Sequence, residues 1–325
     1  MPRVLLLGHR SALGASVRLL LLASGCDVRL VHEGSRPGAP ARAAREGTLE
    51  AAAGDPAAPA ALVVISELGL PSGVMGSLRW RCGRGRLRRH AAGLARRASR
   101  SGITDLVVVS SALRYRPAAD SWLDEDAPTD SSPETAAAEA AEIAADEFSW
   151  LGGHSVILRL GWPYGGDDRL TRRVIGAAAK GWQMFDGPPD VFLPTVEITD
   201  AASSILPALS APTGRYNVTD GHPRTQAELG EALAAGAGAV LHPLFDLRWG
   251  HGSLFGRSRR ADGSAFTSVT GWRPVFRDSA DRLADLSRAA AERRTPGRPE
   301  RVQIEPAHLF AAHRGHLRST SRQSK

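Results

Sequence analysis

The most informative stretch of the sequence is Val4-Leu5-Leu6-Leu7-Gly8-His9-Arg10-Ser11-Ala12-Leu13-Gly14. Its four apolar residues predict a buried strand, and the turn Gly8-x-x-Ser11-x-x-Gly14 precedes an apolar-periodic segment, residues 15–23, that predicts a helix. A turn between a strand and a helix offers backbone N–H groups and a positive helix end to a dinucleotide pyrophosphate. Because Ser11 replaces the middle glycine of that pattern, a tight turn without a ligand is an equally good interpretation.

The following residues predict an α/β fold. Apolar runs typical of buried parallel strands occur at residues 28–31, 62–66, 106–109 and 156–158, and helices are predicted at residues 91–101 and 133–150. The sequence Ser131-Ser132-Pro133-Glu134 predicts the start of the second helix, with Glu134 completing a capping box. We therefore expect a Rossmann-like doubly wound parallel sheet over residues 1–165.

The second half of the chain contains more glycine and proline, and its pattern is more mixed. Helices are predicted near residues 169–180, 200–209 and 225–236. Residues 166–287 are expected to form a smaller C-terminal substrate-binding lobe, with chain crossings between the two lobes. Residues 288–325 are expected to form a basic, partly disordered extension.

Composition and charge narrow the classes of function. The 325 residues are 42% hydrophobic and 23% charged, as in globular proteins, and no apolar run is long enough to span a membrane. The net charge of +7 is concentrated in residues 79–100 and 288–325, so the rest of the chain is acidic overall and a nucleic-acid partner is not favoured. With Cys26 and Cys82 as the two cysteines, we expect a cytoplasmic protein.

Several short motifs share an order and spacing with a known family. They are Gly54-Asp55, Val108-Val109-Ser110-Ser111-Ala112-x-x-Tyr115, Glu125-Asp126-x-Pro128, Leu158-Arg159-x-Gly161-x-x-Tyr164-Gly165, Pro194-Thr195-Val196-Glu197-Ile198-Thr199-Asp200, Gly214-x-Tyr216-Asn217-Val218 and Gly271-Trp272-Arg273-Pro274. Over most of residues 3–287 the chain thus resembles the extended short-chain dehydrogenase/reductase group, or NAD-dependent epimerase/dehydratase family.

The resemblance implies a catalytic Ser or Thr, a Tyr and a Lys, and only the first is matched, by Ser111. Aligning the family's Ser-Pro-Tyr-x-x-x-Lys pattern on residues 132–138 puts Glu134 at the tyrosine and Ala138 at the lysine. Lys180 and Lys325 are the two lysines, and neither completes a Tyr-x-x-x-Lys motif. The catalytic candidates are therefore Ser111, Glu134 and Tyr115, and Glu134 has a purely helix-capping role as its alternative.

The resemblance also implies binding residues. The cofactor-binding candidates, for NAD or NADP, are Gly8, Ser11, Gly14, Glu33, Arg36 and Asp55, and whether any cofactor binds is left open by the altered turn. The substrate-binding candidates are Arg159, Tyr164, Arg259 and Arg260. Arg159 either holds a substrate anion or pairs with an acid of the protein, and Arg259 and Arg260 lie where sugar-nucleotide members place a diphosphate-binding arginine.

Three hypotheses of function follow. The first is an enzyme that acts on a sugar nucleotide or secondary metabolite by non-redox acid/base chemistry, which is isomerisation, elimination or ring closure. The second is a non-catalytic NAD(P)-binding sensor or partner subunit. The third is an NAD(P)-dependent oxidoreductase that uses another acid, Tyr115 or Tyr164. A homodimer through the helix that follows Pro133 is compatible with each.

Overall fold

A six-stranded parallel sheet lies at the centre of the fold. The computed structural model describes residues 2–31, 49, 60–66, 73–182, 188–242 and 255–294, with the backbone alone for residues 73–84 and 294. The predicted α/β fold with a doubly wound parallel sheet is confirmed. The described residues up to Ala291 form one compact unit, and the proposed lobe boundaries at residues 165 and 287 stay a prediction. Most of the predicted basic extension, residues 295–325, lies outside the described residues.

The described strands are β1 (Arg3–Leu7), β2 (Asp27–Val31), β3 (Ala60–Ile65), β4 (Ile103–Ser111), β5 (Trp122–Leu123), β6 (His154–Leu160), β7 (Trp162–Tyr164), β8 (Phe192–Leu193), β9 (Thr195–Glu197), β10 (Gly214–Val218), β11 (Arg224–Thr225) and β12 (Arg260–Ala261). The described helices are α1 (Ala12–Ala23), α2 (Gly73–Arg100), α3 (Ala136–Trp150), α4 (Arg169–Ala178), α5 (Ile198–Ser203), α6 (Ile205–Ala208), α7 (Gln226–Ala237), α8 (Ser264–Thr270) and α9 (Ser279–Arg294). A 3₁₀ turn, Ala112–Arg114, follows β4.

The strand order of the sheet is β10-β6-β4-β3-β1-β2. From β1 the chain continues to β2 on one side, whereas β3 pairs with β1 on the other side. Such a reversal of strand order leaves a crevice at the carboxyl edge of an open α/β sheet. The three short two-stranded sheets, β11-β8, β12-β5 and β7-β9, lie outside the main sheet.

The apolar strands are buried because helices cover both faces of the sheet. Side chains alternate along a strand, so Val4 and Leu6 join the core on the face covered by α1 and α5. Leu5 joins the opposite core, beneath α2 and α3, with Leu106 and Phe148. No described helix is both long and apolar enough to cross a membrane.

Three helices begin earlier or later than the sequence predicts by three residues or more, and the first of them, α1, begins at Ala12 rather than at residue 15. The helix α2 begins at Gly73 rather than near residue 91, because the four glycines of its first half have low helix propensity and hide the helix from a sequence-based prediction. The helix α3 begins at Ala136 rather than at Pro133, and its N-cap Thr135 makes no side-chain cap hydrogen bond. Ser132 Oγ instead accepts the N–H of Thr135 in the turn before the helix, so the predicted capping box with Glu134 is wrong.

The turn between β1 and α1 needs both of its glycines for packing. Gly8 has φ +87°, and a Cβ at that position would lie 2.3 Å from the carbonyl oxygen of Ile65. A Cβ at Gly14 would lie 2.3 Å from the carbonyl oxygen of Gly8 and 2.7 Å from Cα of His9. The glycine pattern is thus explained by the close approach of α1 to the strand ends, before any ligand is considered.

We predict that Gly14→Ala destabilises the protein by about 1–3 kcal/mol or more, because backbone atoms must move to admit the methyl group. Urea denaturation measures the effect. The control is Gly93→Ala in α2, where the added Cβ meets only Arg97 Nη1 at 3.7 Å, and where alanine is expected to stabilise by about 0.5–1 kcal/mol. Equal stability of Gly14→Ala and the wild type would contradict the packing argument.

Candidate functional site

A cavity of about 460 Å³ lies at the carboxyl edge of the main sheet. Its walls come from the β1–α1 turn, the ends of β3, β4 and β6, the segment around β7, and the first turns of α4 and α5. The lining residues that carry polar side chains are Arg10, Ser11, Ser66, Ser110, Ser111, Asp167, Asp168, Arg169, Arg172 and Arg173. Two sequence-predicted residues, Ser11 and Ser111, are therefore brought together here.

The N-terminus of α1 forms one wall of the cavity. Ser11 is the N-cap, and its hydroxyl accepts the N–H of Gly14 at 2.9 Å and donates to the carbonyl oxygen of Gly8 at 3.1 Å. The first helical bond runs from Ala15 N to Ser11 O, so the N–H groups of Ala12 and Leu13 precede the helical ladder. Both residues line the cavity, and this set of N–H donors at a positive helix end fits a phosphate or pyrophosphate group.

Ser111 ends β4 on another wall of the same cavity. Its side chain is almost fully buried, and its Oγ accepts the N–H of Leu113 at 3.1 Å. Because that bond uses the oxygen as an acceptor, the hydroxyl hydrogen of Ser111 is free to be donated to a ligand oxygen. The neighbouring Ser110 is committed differently, since its hydroxyl donates to Glu142 Oε1 at 2.5 Å.

Glu142 of α3 is the centre of a buried polar network beneath the cavity. Arg159 Nε and Nη2 each donate to one oxygen of its carboxylate, both at 3.0 Å, and Arg114 Nη1 forms a second ion pair at 2.5 Å. Burial alone would raise the pKa of Glu142, but the hydrogen bond from Arg159 and the charges of Arg114 and Arg159 lower it to about 2. The carboxylate is therefore a fixed anion at neutral pH.

The predicted catalytic Tyr115 and the predicted substrate ligand Arg159 contact each other instead of lining the cavity. The Tyr115 hydroxyl donates to Asn217 Oδ1 at 2.7 Å and accepts from Arg159 Nη1 at 3.0 Å, and the guanidinium lies 4.9 Å from the centre of the tyrosine ring. Burial raises the pKa of Tyr115. Of the two interpretations of Arg159, the structure thus shows the pairing with an acid, Glu142.

Tyr164 also lies away from the cavity wall. It is fully buried, and its hydroxyl has no hydrogen-bond partner among the described residues. Burial, together with the nearby carboxyl groups of Asp220 and Glu197, raises its pKa far above the ordinary value. A tyrosine in these surroundings is a poor proton donor to a ligand.

Arg259 and Arg260 are likewise engaged within the protein. The buried Arg259 donates from Nε to the carbonyl oxygen of Tyr115 at 2.7 Å, and burial, with the charge of Arg257, lowers its pKa to about 10. The Arg260 guanidinium lies over the rings of Trp122 and Phe192, at 4.5 and 4.6 Å. Neither arginine lines the cavity.

The remaining predicted residues fall outside the cavity or outside the described part of the chain. Glu134 is half-buried in the turn before α3 and does not line the cavity. Glu33, Arg36 and Asp55 lie outside the described residues, so their proposed cofactor roles stay predictions.

Sequence reasoning did not single out the charged residues of the α4 wall. Asp167, Arg169, Arg172 and Arg173 all line the cavity, as does Arg10 from the β1–α1 turn. The available signal was the charged run that begins at Asp167, two residues after the Tyr164-Gly165 motif, and opens a predicted helix. In a chain with many arginines, that run did not stand out from its surroundings.

Several motifs that carried the family resemblance connect distant segments of this fold. The carboxylate of Asp200 accepts the N–H groups of Val275 and Phe276 at 3.0 and 2.8 Å, just after the Gly271-Trp272-Arg273-Pro274 motif. Glu125 Oε1 accepts the N–H of Asn217 at 2.8 Å. The first pair ties a loop to α5 and the second ties a loop to β10, and both account for the presence of their motifs without a ligand.

Comparison with known proteins identifies the fold. No protein-family model and no curated protein sequence matches the chain. Among solved structures, the human epimerase family protein SDR39U1 with NADPH is 20% identical, with a TM-score of 0.67, and the match covers 89% of this chain and 99% of that chain. UDP-glucose 4-epimerase from Thermus thermophilus, in complex with NAD, is 21% identical with a TM-score of 0.66 and the same coverage.

A third structure, dTDP-glucose 4,6-dehydratase from Bacillus anthracis in complex with NAD, is 14% identical, with a TM-score of 0.66 over 90% of this chain and 98% of that chain. The chain has the fold of NAD-dependent epimerases and dehydratases. The resemblance inferred from the sequence is confirmed at the level of this epimerase/dehydratase fold.

We predict that Glu142→Gln lowers the free energy of unfolding by about 3–5 kcal/mol, because it leaves two buried arginines without their anion. The folded-state pKa of Glu142, about 2, lies below its ordinary value of 4.5. Its contribution is therefore complete above pH 4.5 and is lost as the pH falls towards 2. Denaturation at several pH values should show that the free energy of unfolding of the wild type decreases between pH 4.5 and 2, and that the decrease is smaller in the variant.

The matched control is Asp146→Asn on the same helix. Asp146 forms a half-exposed ion pair with Arg215, and pairs of this kind contribute about 0–1 kcal/mol. A Glu142→Gln protein within about 1 kcal/mol of the wild type would show that the buried network does not stabilise the fold.

Proposed function

We propose that this protein is an NAD(P)-binding enzyme of the epimerase/dehydratase type that acts on a small molecule by acid/base chemistry at Ser111. The observation that carries the proposal is the cavity, in which the N-terminus of α1 and the hydroxyl of Ser111 share one space. In open α/β sheets, ligands bind at this edge of the sheet, beside the reversal of strand order.

The phosphate-binding part of the cavity supports the cofactor. Ala12 and Leu13 would hold the pyrophosphate through their N–H groups, with the Arg10 side chain on the same wall. A bound nicotinamide supplies a hydride acceptor or donor. The similar structures with NAD or NADPH support the same type of ligand for this chain.

The groups that line the cavity favour acid/base chemistry without a tyrosine and lysine pair. No tyrosine or lysine is among the described lining residues, and Ala138, at the position that matches the lysine, is a buried alanine. Ser111 would donate its hydroxyl hydrogen to a substrate oxygen and orient it. Asp167, exposed on the cavity wall, would accept a proton, and this role replaces the one expected for Glu134.

The substrate class is proposed by analogy. The similar structures include enzymes named for UDP-glucose and dTDP-glucose, so a sugar nucleotide is the first class to test, followed by secondary metabolites. The acid/base steps open to Ser111 and a carboxylate are isomerisation, elimination and ring closure.

A second candidate function is NAD(P) binding without turnover, as a sensor or partner subunit. One observation favours it. Of the three catalytic candidates from the sequence, Ser111 lines the cavity, whereas Glu134 and Tyr115 do not, so the cavity holds one of the three groups expected to carry out catalysis. The oxidoreductase alternative has less support, since Tyr115 is bonded to Asn217 and Arg159 and Tyr164 is enclosed among carboxyl groups.

We predict that Ala12→Asp weakens NAD(P) binding by about 10- to 100-fold, since it places a carboxylate where the pyrophosphate would lie. The same change stabilises α1, because an anion is favourable at a helix N-terminus, so the loss cannot come from unfolding. Calorimetric titration with NAD⁺, NADH, NADP⁺ and NADPH measures the affinities.

The control for this experiment is Ala15→Asp, which also adds an acid to the first turns of α1 but on an exposed position outside the cavity. Its affinity should equal that of the wild type. Absence of NAD(P) binding by the wild type would remove the cofactor from the proposal.

We predict that Ser111→Ala slows conversion of a sugar nucleotide by about 100-fold while NAD(P) affinity stays unchanged. Incubation with a panel of UDP- and dTDP-sugars, followed by NMR of the products, provides the assay. Ser66→Ala is the control, because Ser66 lies on the same cavity but its hydroxyl donates to the carbonyl oxygen of Val109. Intact NAD(P) binding without conversion of any compound would favour the second candidate function.

A further inference from the structure

The outer face of α2 carries a row of exposed arginines. It consists of Arg86, Arg89, Arg96 and Arg100, which we call the arginine row. Because a helix turns about 100° per residue, these side chains project within about 80° of one another. Ala95 and Ala98 lie on the opposite side of α2 and are buried against the sheet. The row therefore faces away from the core, and it extends about 21 Å along the helix.

The positive charge of this face is not balanced by the neighbouring side chains that the structure describes. The 28 residues of α2 include no acid. Arg96 donates to Glu147 Oε1 of α3 at 2.9 and 3.0 Å, whereas the other arginines of the row form no ion pair or side-chain hydrogen bond with a described residue. Asp146 of α3 is paired with Arg215. The arginine row is therefore open to an anionic partner.

A tryptophan and a leucine lie at the end of the same face. The helices α2 and α3 run in the same direction, because each connects two parallel strands, β3 to β4 and β4 to β6. The contact of Arg96 with Glu147 places the two helices side by side. One turn further on, Arg100 is therefore at the level of Trp150 and Leu151 at the end of α3. Trp150 is 89% exposed and Leu151 is 47% exposed, so an apolar patch adjoins the arginine row.

We propose that the arginine row, Trp150 and Leu151 bind the surface of an anionic membrane without crossing it. Guanidinium groups form charge-assisted hydrogen bonds with lipid phosphate and carboxylate groups. The amphipathic ring of a tryptophan is favoured at the level of the headgroups, and an exposed leucine is favoured just beneath them. The patch lies at the amino edge of the sheet, because α2 and α3 end just before β4 and β6 begin, so the cavity at the carboxyl edge stays accessible.

Two features favour a membrane over other partners. Proteins that bind single-stranded nucleic acid stack bases on several aromatic rings, whereas residues 85–100 of α2 include no Phe, Tyr or Trp between the arginines. A two-fold pair of copies joined through this face would bring two arginine rows together, and like charges repel. A membrane surface satisfies both the arginines and the apolar patch.

The test is sedimentation of the full chain with vesicles of phosphatidylcholine alone and of phosphatidylcholine with about one-third phosphatidylserine. One variant is Arg86→Gln/Arg89→Gln/Arg100→Gln, which removes three charges and keeps side chains of high helix propensity. A second variant, Trp150→Ala, removes the exposed ring and leaves the arginine row intact.

The matched control is Arg18→Gln/Arg273→Gln/Arg277→Gln. It removes the same charge from three exposed arginines outside α2 and α3. The sequence after residue 294 is identical in all of these proteins, so differences between them report the described surface. Thermal denaturation of each variant checks that it is folded.

The wild type and the control are expected to bind the anionic vesicles with similar affinity. The arginine variant should bind them about 100-fold more weakly, and Trp150→Ala about 10-fold more weakly. Binding by the wild type should weaken strongly at about 1 M salt, because exposed charges are then screened beyond about 3 Å. Vesicles of phosphatidylcholine alone should bind the wild type far less than the anionic vesicles.

Several results would overturn the proposal. Absence of binding to anionic vesicles by the wild type, or an equal loss in the control, would show that this face does not bind a membrane. Binding of a single-stranded RNA that is lost in the arginine variant, without vesicle binding, would assign the row to nucleic acid. A dimer in solution that Trp150→Ala converts to a monomer, again without vesicle binding, would assign the face to a second copy of the chain.

Discussion

The carboxylate of Glu142 holds together the edge of the sheet on which the candidate site is built. It extends from α3 and is bonded to Ser110 at the end of β4, to Arg114 in the 3₁₀ turn and to Arg159 of β6. A carboxylate this deeply buried is stable as an anion only because two arginines and a serine hydroxyl surround it. Its partners therefore have fixed positions, and through Arg159 the order extends to Tyr115 and Asn217.

The same constraint determines which residues are open to a ligand. The protein itself provides hydrogen-bond partners for Arg159, Tyr115 and Arg259. These side chains stabilise the fold and are not available to bind a ligand. Uncommitted groups remain on the other side of the strand ends, at the N-terminus of α1, at Ser111 and on α4. The candidate site is therefore formed by residues whose polar groups are not all engaged in the Glu142 network.

Five of the six strands described in the main sheet could be predicted from the sequence, since apolar runs in a parallel sheet are buried on both faces, whereas β10 and the strands of the short sheets were not predicted. The prediction from Val4 to Leu7 differs from β1 by one residue, and the end of α3 at Trp150 was predicted correctly. The first half of α2 was missed because it contains four glycines, which favour loops over helices in a sequence-based prediction.

The candidate site was less accessible to sequence reasoning. Ser11 was found from the glycine pattern of the turn between β1 and α1, and Ser111 was found from the family resemblance, as the serine that ends β4. Motif residues such as Arg159 and Tyr164 were assigned to a substrate, but a motif records only that positions act together in space. Whether they meet through a ligand or through each other depends on side-chain partners, which spacing along the chain does not reveal.

The arginines of α4 limit the chemistry that the cavity supports. A lysine beside a cofactor can shift its pKa and take part in proton transfer, whereas a guanidinium stays charged at any pH at which the protein is folded. Ala138, which the proposed alignment puts at the position of the family's lysine, is buried, and the positive charge on the described cavity wall belongs to arginines, which do not exchange protons. Under the proposed function, proton transfer falls to the Ser111 hydroxyl and to a carboxylate on the cavity wall, because no tyrosine is among the described residues that line the cavity.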